Sequence, residues 1–163
     1  PRGVLHCWAT DKDDPTGDPK LGRMGKPRYE NTGMLTRERM KTVDAEFLKA
    51  TEDFIDRSVK NDKPYFVRFN PTRMHIWTHV PQQYIQKAVD EGRPETDVYR
   101  AGMIQHDEQV GQLLKKLDDL KIADNTIVVY STDNGYELMF WPDGGYSPFR
   151  GEKGTTWEVC FFC

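Results

Sequence analysis

Two short runs of β-branched and aromatic residues, Tyr65–Phe69 and Ile127–Tyr130, constrain this chain more than any other feature. Each has the composition of a buried strand. Each is preceded by a longer stretch whose apolar residues recur at spacings of three and four, the helical period. Strands that alternate with helices of this length form parallel crossover units with a right-handed connection, so the sequence predicts an α/β fold. Such sheets bind ligands beyond the carboxyl ends of their strands. The loops that follow the two runs, 70–81 and 131–158, are therefore the expected place for a site.

The helical segments carry their own boundaries. Thr36 can cap a helix that runs to about Lys60, with Met40, Val43, Phe47, Ala50, Phe54 and Ile55 as its apolar stripe. Its other face, with Arg39, Lys41, Asp44, Glu46, Glu52 and Asp53, has the composition of a solvated surface. Asn61-Asp62-Lys63-Pro64 ends it. A short helix is expected over about Gln82–Glu91, broken by Gly92-Arg93-Pro94. A second long helix runs from about Thr96 to Leu120, with a stripe of Tyr99, Met103, Val110, Leu113, Leu114, Leu117 and Leu120. Residues 1–35, rich in Asp, Gly, Pro and Lys and without a sustained period, are expected to be a long surface connection. Asp11, Asp13 and Asp14 resemble the start of a calcium loop, but Pro15 occupies the next ligand position and no Glu closes the twelve-residue pattern, which favours a solvated turn.

The length of 163 residues suits about one domain. Although 30% of the residues are charged, the patterned apolar segments argue against wholesale disorder. A net charge of −3 offers no electrostatic case for nucleic acid. No apolar run approaches the ~18–20 residues of a membrane span. The three cysteines, Cys7, Cys160 and Cys163, are too few and odd in number for a disulfide framework. Cys160 and Cys163 have CxxC spacing, but no second pair completes a zinc site.

The chemistry-bearing residues gather after the second run. Ser131-Thr132-Asp133-Asn134-Gly135 stops it abruptly, and Asp133 and Asn134 offer the hard oxygens that calcium or magnesium prefers. The same triplet also serves as a plain turn. Lys153, flanked by small residues in Gly151-Glu152-Lys153-Gly154, suits an oxyanion, and is equally compatible with a solvated loop. After the first run, His79 sits in His-Val-Pro, with His75 four residues earlier; a loop histidine there can act as a general acid, an anion contact or a metal ligand, or simply pack. Asp107, beside His106 in the long helix, could orient another group or remain solvated. No Gly-x-Ser-x-Gly elbow and no P-loop is present, and none of the few serines stands in an activating context.

Val128–Gly135, with its Ser131-Thr132-Asp133-Asn134-Gly135 ending, followed by Arg150-Gly151-Glu152-Lys153-Gly154-Thr155-Thr156-Trp157-Glu158, resembles the arylsulfatase family of the alkaline phosphatase superfamily. The Pro64–Phe69 segment leading to His79-Val80-Pro81, and Met103–Gly111 with Leu113-Leu114, resemble the same family in the same order. The resemblance covers about residues 35–158. It implies part of an alkaline-phosphatase-like three-layer sandwich with a mostly parallel sheet. It also implies hydrolysis of sulfate esters, of small molecules or glycans, at a calcium site, with magnesium the second choice. Asp133 and Asn134 would be metal ligands, Lys153 would contact the sulfate, and His79 would contact the sulfate or protonate the leaving oxygen. His75 is the competing assignment, and His79 is preferred for its His-x-Pro context. Asp107 would carry structural weight. A periplasmic or secreted location goes with the family.

The sequence departs from the family pattern at both ends. The Cys/Ser-x-Pro/Ala-x-Arg motif that yields the formylglycine nucleophile is absent, and Cys7 in His6-Cys7-Trp8-Ala9 cannot replace it. The upstream pair of acidic metal ligands is missing too. After Trp157-Glu158, Val159-Cys160-Phe161-Phe162-Cys163 stands where the family has Gly-Gly-x-Arg-x-Pro. The expectation is an internal piece, 1–158, of a sulfatase catalytic domain (1–35 connection, 36–158 core) with an atypical tail, 159–163, and no activity of its own. Formylglycine is expected upstream. The alternatives are a phosphoesterase or phosphonate hydrolase of the same superfamily, or a non-catalytic binding protein that keeps the fold. Tyr136, Phe140, Trp141, Tyr146 and Phe149 are expected to line or cover the cleft mouth, or else to pack on the sheet edge.

Overall fold

The computed structural model of the chain describes residues 3–16, 18, 20, 22, 24–140 and 147–157, with the side chain of Phe140 excepted. The expected tail with Cys160 and Cys163 lies outside the described residues, as do Glu158, Trp141, Tyr146 and the Phe140 side chain. The chain divides into two units, Pro1–Arg39 and Met40–Cys163.

In the first unit the stretch read as connection is exposed for most of its length, yet it forms an antiparallel ribbon. Strand β1 (Gly3–Trp8) pairs with β2 (Arg28–Met34), with Leu5 opposite Asn31, Cys7 opposite Tyr29 and Trp8 opposite Arg28. The absence of apolar alternation hid these strands, because neither face is buried. What holds the ribbon is local: the His6 ring stacks on Trp8 at 3.9 Å, and the Arg28 guanidinium lies 4.0 Å over the same indole. Arg39 closes its end by donating to the Thr32 and Gly33 carbonyls at 3.0 and 3.2 Å. Gly33 has φ +108°, a conformation side chains resist.

The second unit is helical. Helix α1 (Arg37–Lys60) begins where Thr36 Oγ1 accepts from the Arg39 amide at 3.2 Å, so the expected cap is in place. It ends at Asn61-Asp62, where Asp62 adopts φ +50° and the Lys63 amide returns to the Ser58 carbonyl at 3.0 Å. Its buried line is Asp44, Leu48, Ile55 and Ser58, with Val43 beside it. This is rotated from the expected stripe: Ala50 and Phe54 face solvent, and Asp44, expected on the solvated face, is fully buried. The reason is a partner that the helix alone cannot reveal, described below.

Helix α2 (Gln82–Asp90) packs on α3 (Val98–Asp119) through Val80, Tyr84, Ala88 and Ala101, with Ile85, Val98 and Ile104 around them. Both helices fall where the sequence places them. Asp97 caps α3, its Oδ1 accepting from the Arg100 amide at 2.8 Å and its Oδ2 from Arg93 Nε at 2.6 Å.

The expected parallel sheet is where the structure departs from the sequence reading. Neither 64–70 nor 126–132 has strand pairing, and the strands formed among the described residues are β1 and β2. Phe66, Ile127 and Val129 are 88%, 94% and 82% exposed. The physical reason is cooperative: two runs of four or five residues form few ladder bonds, and so small a pair is marginal without further strands. One side-chain contact joins them, Tyr65 Oη to Thr126 Oγ1 at 3.4 Å. The α3 stripe residues Val110, Leu113 and Leu117 line the space that these runs also line. The fold is thus a small α/β piece.

Replacing Asp97 by Ala should lower unfolding free energy by about 1 kcal/mol, the usual worth of a helix cap, with Asn retaining most of it. Urea unfolding would measure this, and an unchanged midpoint for the Ala variant would show the cap to be idle.

Candidate active site

An open cleft of ≈ 2190 Å³ runs along α3 in the second unit. Its walls are the two unpaired apolar runs and the α3 stripe; its polar lining includes His75, Asp133, Asn134 and Lys153. His75, Asp133, Asn134 and Lys153 thus all line this one large, open space. His79 is half-buried and is not part of that lining. Tyr136 lines the cleft, whereas Phe149 is exposed outside it.

The loop that carries Lys153 is held by its own backbone. The Lys153 amide donates to the Tyr136 carbonyl at 2.8 Å, and Nζ pairs with Glu137 at 3.2 Å. Glu152 accepts from the Leu138 amide at 2.8 Å, and Thr155 Oγ1 donates to the Glu152 carbonyl at 2.7 Å. Gly151, at φ +106°, lets this turn close: a Cβ there would lie 2.6 Å from Trp157 Cβ. Just after the second apolar run, Thr132 Oγ1 donates to the Asn134 carbonyl at 3.0 Å and fixes the turn bearing Asp133 and Asn134. Asp133 is exposed and Asn134 half-buried.

These two residues suit a hard cation in kind but not in number. Calcium takes roughly 6–8 oxygens, and no group of three or more His, Cys, Asp or Glu among the described residues is arranged to hold a metal. Asp11, Asp13 and Asp14 form no such group either; Asp14 accepts from the Thr16 amide and hydroxyl at 2.9 and 2.6 Å, as a solvated turn does.

The loop 70–81 rests on a buried polar cluster that the sequence reading missed. Asp44 Oδ1 accepts from the Thr72 amide at 2.8 Å, and Oδ2 accepts from Thr72 Oγ1 at 3.1 Å and lies 3.5 Å from Arg73 Nη1. Arg73 donates from Nε and Nη2 to Gln105 Oε1 at 3.2 and 2.8 Å, and from Nη2 to the His79 carbonyl at 2.8 Å. Burial pulls the guanidinium pKa down, and the Asp44 carboxylate opposes that shift. One sequence signal existed: Asp44 falls on one line with Leu48, Thr51, Ile55 and Ser58 at helical spacing.

His106 is the second residue with a role not foreseen. Its Nε2 lies 3.0 Å from Tyr130 Oη, joining α3 to the end of the second apolar run. Its Nδ1 is buried without a partner among the described residues. Asp107, its neighbour, is exposed. Burial holds the His106 pKa below the ordinary histidine value; Asp44 and Asp107 pull it up, and Arg73 pushes it down. The neutral ring is the folded form, so an unfolded chain takes up the proton first as pH falls. Stability should therefore decline as pH drops below about 6.5, the free histidine value. His106→Gln should flatten that part of the curve in urea unfolding across pH 7 to 5. An unaltered slope would remove His106 as its source.

No helix among the described residues is long and apolar enough to cross a membrane. The chain matches the family model for sulfatases over residues 8–159. It is 30% identical over 114 residues to human N-acetylgalactosamine-6-sulfatase, a match covering 69% of this chain and 20% of that protein. It is 28% identical over 117 residues to human arylsulfatase A, covering 71% and 22%. It is 27% identical over 148 residues to an ulvan-active sulfatase of Formosa agariphila, covering 81% and 28%. No solved structure matches it. The chain spans a fifth to somewhat over a quarter of the length of these relatives. The family match runs across both the loop of His75 and the loop of Lys153, and on that ground the chain belongs to the sulfatase family.

Proposed function

We propose that the protein carrying this chain hydrolyses sulfate esters of small molecules or glycans at a calcium site. The observation that carries this reading is that Asp133, Asn134 and Lys153 line one cleft of a chain that matches the sulfatase family across both loops. Asp133 and Asn134 supply two of the calcium oxygens. The remaining ligands and the formylglycine nucleophile belong to parts of the protein outside residues 1–163, so this segment by itself is inactive and binds calcium weakly. A periplasmic or secreted location goes with the reading.

The roles of the chain's own residues follow from charge and position. A bound calcium would draw charge off the sulfate oxygens. The Lys153 ammonium, held over the cleft by Glu137, binds a further sulfate oxygen, which favours the charge redistribution of S–O cleavage. A histidine protonates the departing ester oxygen. We assign that proton to His79 for its His-x-Pro context, with His75, which lines the cleft, as the competing assignment.

In the full-length protein, Lys153→Ala should lower kcat/KM for an aryl sulfate by about 100-fold or more, the scale of a lost oxyanion contact. Near-normal turnover would sink the assignment; a parallel assay with an aryl phosphate tests the choice of ester. His79→Ala should cost about 100-fold in kcat, within the range for a general acid, and His75→Ala under about tenfold. The reverse order would give the role to His75. Calorimetry of Asp133→Ala should show weakened calcium binding in the full-length protein, and unchanged affinity would remove Asp133 from the ligand set.

A further inference from the structure

We infer that Glu137 is a specificity-determining residue of the Lys153 site, setting it to accept a singly charged ester and to disfavour a doubly charged one. This rests on the functional reading above, in which Lys153 binds an oxygen of the ester anion.

Glu137 stands between two ties that close the Lys153 loop. Before it, the Tyr136 carbonyl accepts from the Lys153 amide at 2.8 Å; after it, the Leu138 amide donates to the Glu152 carboxylate at 2.8 Å. Residues 136–138 are therefore laid along Glu152-Lys153, with Glu137 in the middle. Its Oε1 lies 3.2 Å from Lys153 Nζ, and both residues line the cleft. Glu152 has its carboxylate engaged by the Leu138 amide, so Glu137 is the one of the two acids that pairs with the ammonium.

The two side chains are 35% and 24% exposed, and an ion pair open to water to this degree adds little stability. What it changes is the charge that an incoming anion meets. An ammonium has three donors, so Nζ can bind a ligand oxygen while it keeps Glu137. The neighbouring Gly154 leaves the loop open on its own side, since an added Cβ there would meet nothing within 4 Å. An anion held on Nζ at an ordinary charge-assisted distance lies within about 6 Å of the Glu137 carboxylate. At that separation each unit of negative charge is opposed by about threefold in water and about 100-fold at an effective dielectric of about 20, so about tenfold suits a partly exposed group. An ester sulfate has one ionisable oxygen and carries a single charge. An ester phosphate loses its second proton near about pH 6 and carries two. Both groups are tetrahedral and of similar size, so charge separates them where shape does not.

The test compares an aryl sulfate and the matching aryl phosphate on the full-length protein at about pH 8, with circular dichroism as the check on folding. Glu137→Gln should shift the ratio of kcat/KM values about tenfold toward the phosphate, and Glu137→Asp, which keeps the charge, should leave it within about threefold of the parent. A weakened hold on Lys153 acts on both esters alike and cancels in the ratio, so a merely structural role would not move it. If Glu137→Gln fails to fold, Glu137→Ala takes its place. Where phosphate turnover is too slow to follow, inhibition by phenylphosphonate and by benzenesulfonate, a dianion and a monoanion of like shape, reads the same ratio. A ratio that is unmoved, or that moves toward the sulfate, overturns the inference while the functional reading stands. A parent enzyme that does not hydrolyse the aryl sulfate overturns that reading, and this inference with it.

Discussion

Asp44 and Arg73 face each other in the interior with almost no exposure to water, and the arrangement of the second unit follows from that pair. A carboxylate there is tolerable only because a guanidinium and two Thr72 donors surround it. Taking either partner away alone would leave a buried charge, at a cost of about 3–5 kcal/mol. The pair turns α1 so that the Asp44–Leu48–Ile55 line points inward. It also brings the first site loop down onto the helices.

Helix α3 then serves both loops through consecutive residues. Gln105 turns inward to the Arg73 cluster, and His106 turns to Tyr130 at the end of the second apolar run. Neighbouring residues on a helix point about 100° apart, which lets one turn of backbone reference two loops that are far apart in sequence. The Lys153 loop is different in kind: it holds itself through Tyr136, Glu137, Glu152 and the close passage of Gly151 past Trp157.

Much of this was legible in the residues. The helices announce themselves by period and by their ends, and Thr36, Asn61-Asp62 and Gly92-Arg93-Pro94 mark boundaries that the structure keeps. Lys153, Asp133 and Asn134 were legible as candidate site residues because oxygen donors and a glycine-flanked cation suit a metal and an anion, although a plain turn and a solvated loop have the same composition. The buried face of α1 was not legible, since an aspartate reads as solvated until its partner, 29 positions on at Arg73, is known. Between His75 and His79 two signals differ: sequence context favours His-Val-Pro, while His75 is the one that lines the cleft. The sheet was legible as composition, but pairing is a property of several strands together.

The unpaired runs have a consequence of their own. Ile127-Val128-Val129-Tyr130 combines high β-propensity with no charge and no proline, and its four side chains are between 57% and 94% exposed. Backbone donors and acceptors alongside such side chains are a template for another extended segment. In concentrated solution this segment on its own would add copies edge to edge, and the associated fraction would rise with concentration. A charge introduced on an outward position of that run, such as Val129→Lys, is the kind of gatekeeper that natural edge strands use against this.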